Sequence, residues 1–162
     1  MSNVTNRILA CAKRCGVNYE LLTHGNLRSS LDAALETGLP LEKETKTLLL
    51  ASDQRLFAVT IAADCRINFE RFSNLLGVTG LRFASAIDLA RLGVSAGGIP
   101  PFGFAEDIRS LVSQRVLRLD TVPINPGLAN VTMIMNRDAF IELCEYFGAS
   151  PLDDLAIDGK SP

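Results

Sequence analysis

Two apolar runs lie almost back to back in this chain, KTLLLAS from Lys46 to Ser52 and RLFAVTIAA from Arg55 to Ala63, parted by Asp53 and Gln54. They read as two consecutive apolar strands and predict a hairpin, although Asp53-Gln54 is not one of the strongest turn dipeptides. Neither run alternates polar with apolar residues, so both faces of the sheet they form must be covered. The chain is therefore expected to fold around this pair as the centre of a sheet, with other elements supplying the cover.

The remaining pattern supplies those elements. Val4, Ile8, Cys11, Ala12 and Cys15 follow helical spacing up to Gly16, and VNYELLTH reads as a strand ending at His24. Leu27, Leu31, Ala34 and Leu35 predict a second helix, with Ser29 three residues before Asp32 at its start and Gly38-Leu39-Pro40 at its exit. NFERFSNLLG predicts a helix and LRFA a short strand. SAIDLARLG predicts another helix, opened by Ser85 and Asp88 at capping-box spacing. IRSLVS is a weak strand, SQRVLRLD a turn or short helix, and TVPIN and NVTMIM are strands on either side of Pro126-Gly127. Asn136 caps a final helix, and residues 152–162 are expected to be a mobile tail. With 162 residues, 48% of them hydrophobic and 21% charged, the chain fits one α/β domain spanning 1–162.

Composition narrows the chemistry. No apolar run approaches the roughly 20 residues that cross a bilayer, and no signal peptide opens the sequence, so no membrane partner is expected and a cytoplasmic location is. The four cysteines, Cys11, Cys15, Cys65 and Cys144, are then expected as reduced, buried thiols. With a single histidine, His24, they do not make a zinc site, and no metal or cofactor is expected. Phosphate-loop, dinucleotide and zinc-hydrolase motifs are absent from the sequence. Formal net charge is −2, against binding of nucleic acid by bulk electrostatics. The charge is uneven: residues 1–91 hold 11 Lys/Arg and 9 Asp/Glu, residues 92–162 hold 5 and 9, so an anionic partner is expected to approach the first half.

Two features stand out as candidates for chemistry. Lys46 opens an apolar strand, where its ammonium either sits at the rim of the core and pairs with phosphate or ester oxygens, or snorkels to water. Residues 95–103, SAGGIPPFG, admit neither helix nor strand: Gly97 and Gly98 permit close backbone approach, while Pro100 and Pro101 stiffen the segment. Such a loop either presents backbone groups to a ligand or only turns the chain. His24 reads better as a packing or surface residue than as a catalytic one, and Cys65 beside Asp64 is the candidate for thiol chemistry.

Taken together, K-T-L-L-L at 46–50, R-I-N-F-E at 66–70 and G-G-I-P-P-F-G at 97–103 resemble the YbaK/prolyl-tRNA-synthetase-associated editing-domain family, over a stretch from about His24 to Phe140. The resemblance implies a single α/β domain with a mixed, partly barrel-like sheet and flanking helices. It also implies a pocket framed by the strand-opening lysine, matched by Lys46, and by a G-x-x-x-P loop, matched by Gly97 and Pro101. The implied activity is hydrolysis of the ester of a mischarged tRNA, in a free-standing protein whose partners are a tRNA acceptor end and an aminoacyl-tRNA synthetase. Backbone groups of Gly97 and Gly98 would then orient water and carbonyl, with His24, Leu48, Leu50, Ile99, Phe102 and Thr132 lining the pocket. A small amino acid on tRNA-Pro or a related tRNA is the implied substrate. Two departures bear on specificity: Val112-Ser113-Gln114 stands where many members carry an acidic residue, and Thr132 stands in an uncharged strand where one branch has an acid. The competing class is a non-catalytic module that holds a tRNA end, a nucleotide or an amino acid.

Overall fold

The continuous apolar runs pair as their sequence predicts. In the computed structural model, which describes residues 3–25 and 30–159, β2 (Thr45–Ala51) and β3 (Leu56–Ala62) form an antiparallel hairpin with Lys46 opposite Ile61 and Leu50 opposite Phe57. β3 continues into parallel pairing with β6 (Ile108–Ser113), and β6 with β9 (Ser150–Leu152), while the short β5 (Arg82–Phe83) covers the outer edge of β2. This five-stranded mixed sheet, ordered β5-β2-β3-β6-β9, is the centre of the molecule.

A second sheet is antiparallel, with β8 (Val131–Asn136) between β1 (Tyr19–Thr23) and β7 (Thr121–Ile124). A third pairs β4 (Cys65–Ile67) with β10 (Ile157–Gly159). The strands described do not close into a barrel; the first two sheets instead meet where the Thr45 hydroxyl donates to the Pro123 carbonyl. The mixed α/β class expected from sequence is the class observed.

Both faces of the central sheet are covered, by two separate cores. One, under α3 (Phe69–Leu76), gathers Leu50, Phe57, Val59, Ile61, Phe72 and Leu152; Phe57 and Phe72 meet edge to face at 5.4 Å between ring centroids. The other holds α1 (Asn3–Cys15) and α6 (Arg137–Phe147) against Val112, Val122, Ile124, Met133 and Phe102. At roughly 1.5–3 kcal/mol for each fully buried large aliphatic or aromatic side chain, these cores are the main favourable term in folding.

The caps are those the sequence signals. Ser85 and Asp88 form a capping box at the start of α4 (Ala86–Leu92), and the Asn136 side chain accepts from the Ala139 N–H at the start of α6. SQRVLRLD contributes a one-turn helix, α5 (Gln114–Leu117). The helix expected after His24 is α2 (Ser30–Thr37), although its proposed cap Ser29 and apolar Leu27 lie outside the described residues. The expected mobile tail is instead built into the sheets as far as Gly159: β9 joins β6, a turn of 3-10 helix (Asp154–Ala156) follows, and β10 joins β4. Leu152 and Ala156 are buried there, which the polar composition around them hides; residues 160–162 lie outside the described residues.

Candidate active site

Lys46 points out of the central sheet on the same face as its partner Ile61, because side chains alternate along a strand and opposed residues share a face. It therefore continues the Leu50–Leu48 row to the open end of the core under α3. Half-buried there, the ammonium makes no hydrogen bond or ion pair with the described residues. Burial draws its pKa below the ordinary lysine value; the nearby Cys65 and Asp64 oppose this and Arg66 adds to it. The Asp64 carboxylate is already engaged, accepting from Arg115 Nη2 at 3.1 Å, and Arg115 Nη1 lies 3.3 Å from Cys65 Sγ. Among the described residues Lys46 is thus an unpaired cation at the rim of an apolar surface, suited to an anionic or strongly polar ligand. The same surroundings dispose of the thiol alternative. Burial, with the Asp64 charge beside it, raises the Cys65 pKa and keeps the sulfur protonated and weakly nucleophilic.

The 95–103 loop leaves α4 through Gly93, whose φ of 71° ends the helix. Gly98 is buried because the 125–130 connection passes against it: a Cβ there would lie 3.1 Å from Ala129 N and 3.3 Å from Leu128 C. Gly97 is exposed and would meet only Ala129 Cβ, at 3.9 Å. Close approach, and not positive φ, is thus what this glycine pair supplies, and at Gly98 alone. Gly103 needs both, with φ of 92° and Ile8 Cγ1 at 2.9 Å from the position of a Cβ. Pro100 and Pro101 are buried, anchoring the loop from behind.

The expectation that both glycines offer free backbone groups is corrected in one particular. The Gly98 N–H donates to the Ser95 carbonyl at 2.9 Å, and the Gly97 carbonyl accepts from Asn125 Nδ2 at 3.1 Å. Among the described residues, the Gly97 and Ile99 N–H groups have no partner, and the two prolines that follow have no N–H to offer.

His24 and Thr132 are brought together across β1 and β8, His24 Nε2 to Thr132 Oγ1 at 2.9 Å. His24 Nδ1 lies 2.7 Å from the Gly25 carbonyl, which can only accept; in the neutral ring Nδ1 therefore carries the proton and Nε2 accepts from the Thr132 hydroxyl. The His24 N–H donates to Asn130 O at 2.9 Å, so the 125–130 connection touches the glycine loop at one end and His24 at the other. Through Thr45 and Pro123, β7, which leads into this connection, also reaches the start of β2.

Not every residue expected in the pocket can line one. Leu50 is 0% exposed in the core under α3, and Phe102 is 0% exposed in the other core, stacked on Phe147 at 5.0 Å. They lie on opposite faces of the central sheet, so no single pocket is lined by both; each is a packing residue. Leu48 and Ile99 are half-buried at the margins of these same two cores. Asn125, which sequence reasoning passed over, is the side chain that ties the loop to its neighbours. Its signal was the Asn125-Pro126-Gly127 turn sequence, which announces a turn but not a partner at Gly97.

The profile of the aminoacyl-tRNA editing domain family matches residues 24–143, from His24 through Lys46, the glycine loop and Thr132. The chain belongs to that family. This editing domain is 28% identical over 147 residues to a proline–tRNA ligase of Leuconostoc mesenteroides, covering 87% of the chain and 26% of the ligase. It is 27% identical over 128 residues to that of Listeria welshimeri, covering 75% and 22%. The chain thus spans about a quarter of the length of these curated relatives. Its fold matches a solved hypothetical protein with a TM-score of 0.78 at 27% identity, over 91% of this chain and 97% of that one. It also matches a proposed trans-editing enzyme for prolyl-tRNA synthetase with a TM-score of 0.76 at 20% identity, over 94% and 97%.

Proposed function

We propose that this editing domain is an aminoacyl-tRNA deacylase acting in trans, which hydrolyses a small amino acid from tRNA-Pro or a related tRNA. The observation that carries the reading is the half-buried Lys46 ammonium, unpaired among the described residues, in a domain of the editing family. Similarity to two proline–tRNA ligases supports the choice of tRNA.

The chemistry asks little of the protein. An aminoacyl ester is activated by its own leaving group, so positioning and charge stabilisation suffice without a protein nucleophile. Lys46 holds the terminal phosphate or ester region of the tRNA end, and the Gly97 and Ile99 N–H groups receive the developing oxyanion. Water adds to the carbonyl carbon, the bond to the ribose oxygen breaks, and that oxygen leaves with a proton, giving free amino acid and an intact tRNA. The neighbouring ribose hydroxyl assists the proton transfer. Discrimination among small side chains is hard in a synthetic site, which is where a separate hydrolytic pocket helps.

A panel of tRNAs mischarged with alanine, serine and cysteine tests the reading, with Lys46→Ala beside the wild type. Release of at least one amino acid by the wild type, reduced by roughly 10²-fold or more in the variant, is expected. Binding of tRNA with no release from any member would replace the deacylase by a binding module. Full activity of Lys46→Ala would remove the lysine from the mechanism.

A further inference from the structure

The peptide between Gly97 and Gly98 is held from both sides. Its carbonyl accepts from Asn125 Nδ2 at 3.1 Å, and its N–H donates to Ser95 O at 2.9 Å. Asn125 is itself saturated: Nδ2 also donates to Leu128 O at 2.9 Å, and Oδ1 accepts from the N–H groups of Gly127 at 2.7 Å and Leu128 at 2.9 Å. A primary amide has two donor hydrogens and two acceptor lone pairs, and all four are used here. The side chain cannot turn without giving up several bonds at once.

This matters because two adjacent glycines are the backbone most free to rotate a peptide plane. Left alone, rotation about the φ and ψ of the two glycines would re-aim the Gly97 carbonyl and, where the neighbouring torsions do not compensate, change the direction of the Gly97 and Ile99 N–H groups relative to each other. Those flanking groups, on Gly97 and Ile99, are the free donors of the segment 97–101. The bond across to Asn125 spans 28 residues of sequence, so the β7–β8 connection fixes the orientation together with the Ser95 carbonyl of the loop itself.

The geometry points to Asn125 as a positioning residue for ester hydrolysis, one that fixes the Gly97–Gly98 peptide so that the Gly97 and Ile99 N–H groups face the substrate carbonyl. The inference rests on the deacylase reading. Asparagine is required because the site demands both functions of the amide. Aspartate would keep the two acceptor bonds but set a carboxylate oxygen against the carbonyls of Gly97 and Leu128.

Single-turnover deacylation, tRNA affinity, thermal midpoint and amide hydrogen exchange at Gly98 are measured on the wild type, Asn125→Asp and Asn125→Ser. The serine variant retains an acceptor for the turn while being too short to reach Gly97, and serves if the aspartate variant fails to fold. Expected are a rate lower by on the order of 10- to 100-fold, unchanged tRNA affinity and faster exchange at Gly98. A folded variant that deacylates at the wild-type rate overturns the role of Asn125. A slower rate with Gly98 exchange unchanged overturns the fixing of the peptide. A wild type inactive on every mischarged tRNA overturns the deacylase reading instead, and Gly98 exchange then decides alone whether Asn125 fixes this peptide.

Discussion

Lys46 carries a pH signature that follows from its burial. Because the folded protein holds this proton less tightly than the ordinary lysine value of 10.5, the proposed deacylation, where it depends on the ammonium, should be complete at lower pH. It falls as pH rises through the lowered value, on the acid side of 10.5. Single-turnover rates against pH, corrected for spontaneous ester hydrolysis, should show that limb; Lys46→Arg, whose guanidinium stays charged, should displace it upward if it retains activity. The linked stability has the opposite sense. Between the two pKa values the unfolded chain binds more protons, so this residue makes stability rise with pH across that window. A second contrast lies in the glycine pair. Gly98→Ala drives a Cβ against the backbone of Leu128 and Ala129 and should cost about 1–3 kcal/mol in a denaturant titration. Gly97→Ala meets only ordinary contact and should leave stability nearly unchanged.

Element boundaries were legible wherever the signal is local. The capping box of α4 and the Asn136 cap of α6 stand at their predicted positions, and Asn136→Ala should cost about 1 kcal/mol in thermal melts. The paired apolar runs also behaved as read, because burial on both faces leaves no other use for them. What escaped was set by partners distant in sequence. β4, β9 and β10 are three residues each, too short for a period, and exist only through pairing with one another or with β6. IRSLVS looked weak because Arg109, Ser110 and Ser113 interrupt it; yet β6 sits between two parallel neighbours, with both serines buried. The candidate site divides in the same way. Lys46 and the glycine loop advertise themselves by residue type, whereas Asn125 gains its role from Gly97, and Leu50 and Phe102 lost theirs to packing that no spacing reveals.

At the scale of the whole molecule, the two cores share the central sheet, and the segment 150–159 completes one of them. Leu152→Ala should destabilise the protein by about 2–5 kcal/mol, since that side chain is 1% exposed in the core under α3. Leu155→Ala, at a position 67% exposed, should change stability by no more than about 0.5 kcal/mol. Chemical denaturation of the two variants separates a built-in strand from a loose tail, for which neither change would matter.

The bond from His24 to Thr132 spans 108 positions of sequence, and the pairing of β1 with β8 that sets it up is equally remote. Contacts of such separation are slow to close, because a long loop must be ordered before any of them repays the lost entropy. During refolding the helices can re-form before β1 and β8 are joined, so the His24–Thr132 pair is expected as a late kinetic event, behind the return of helical structure.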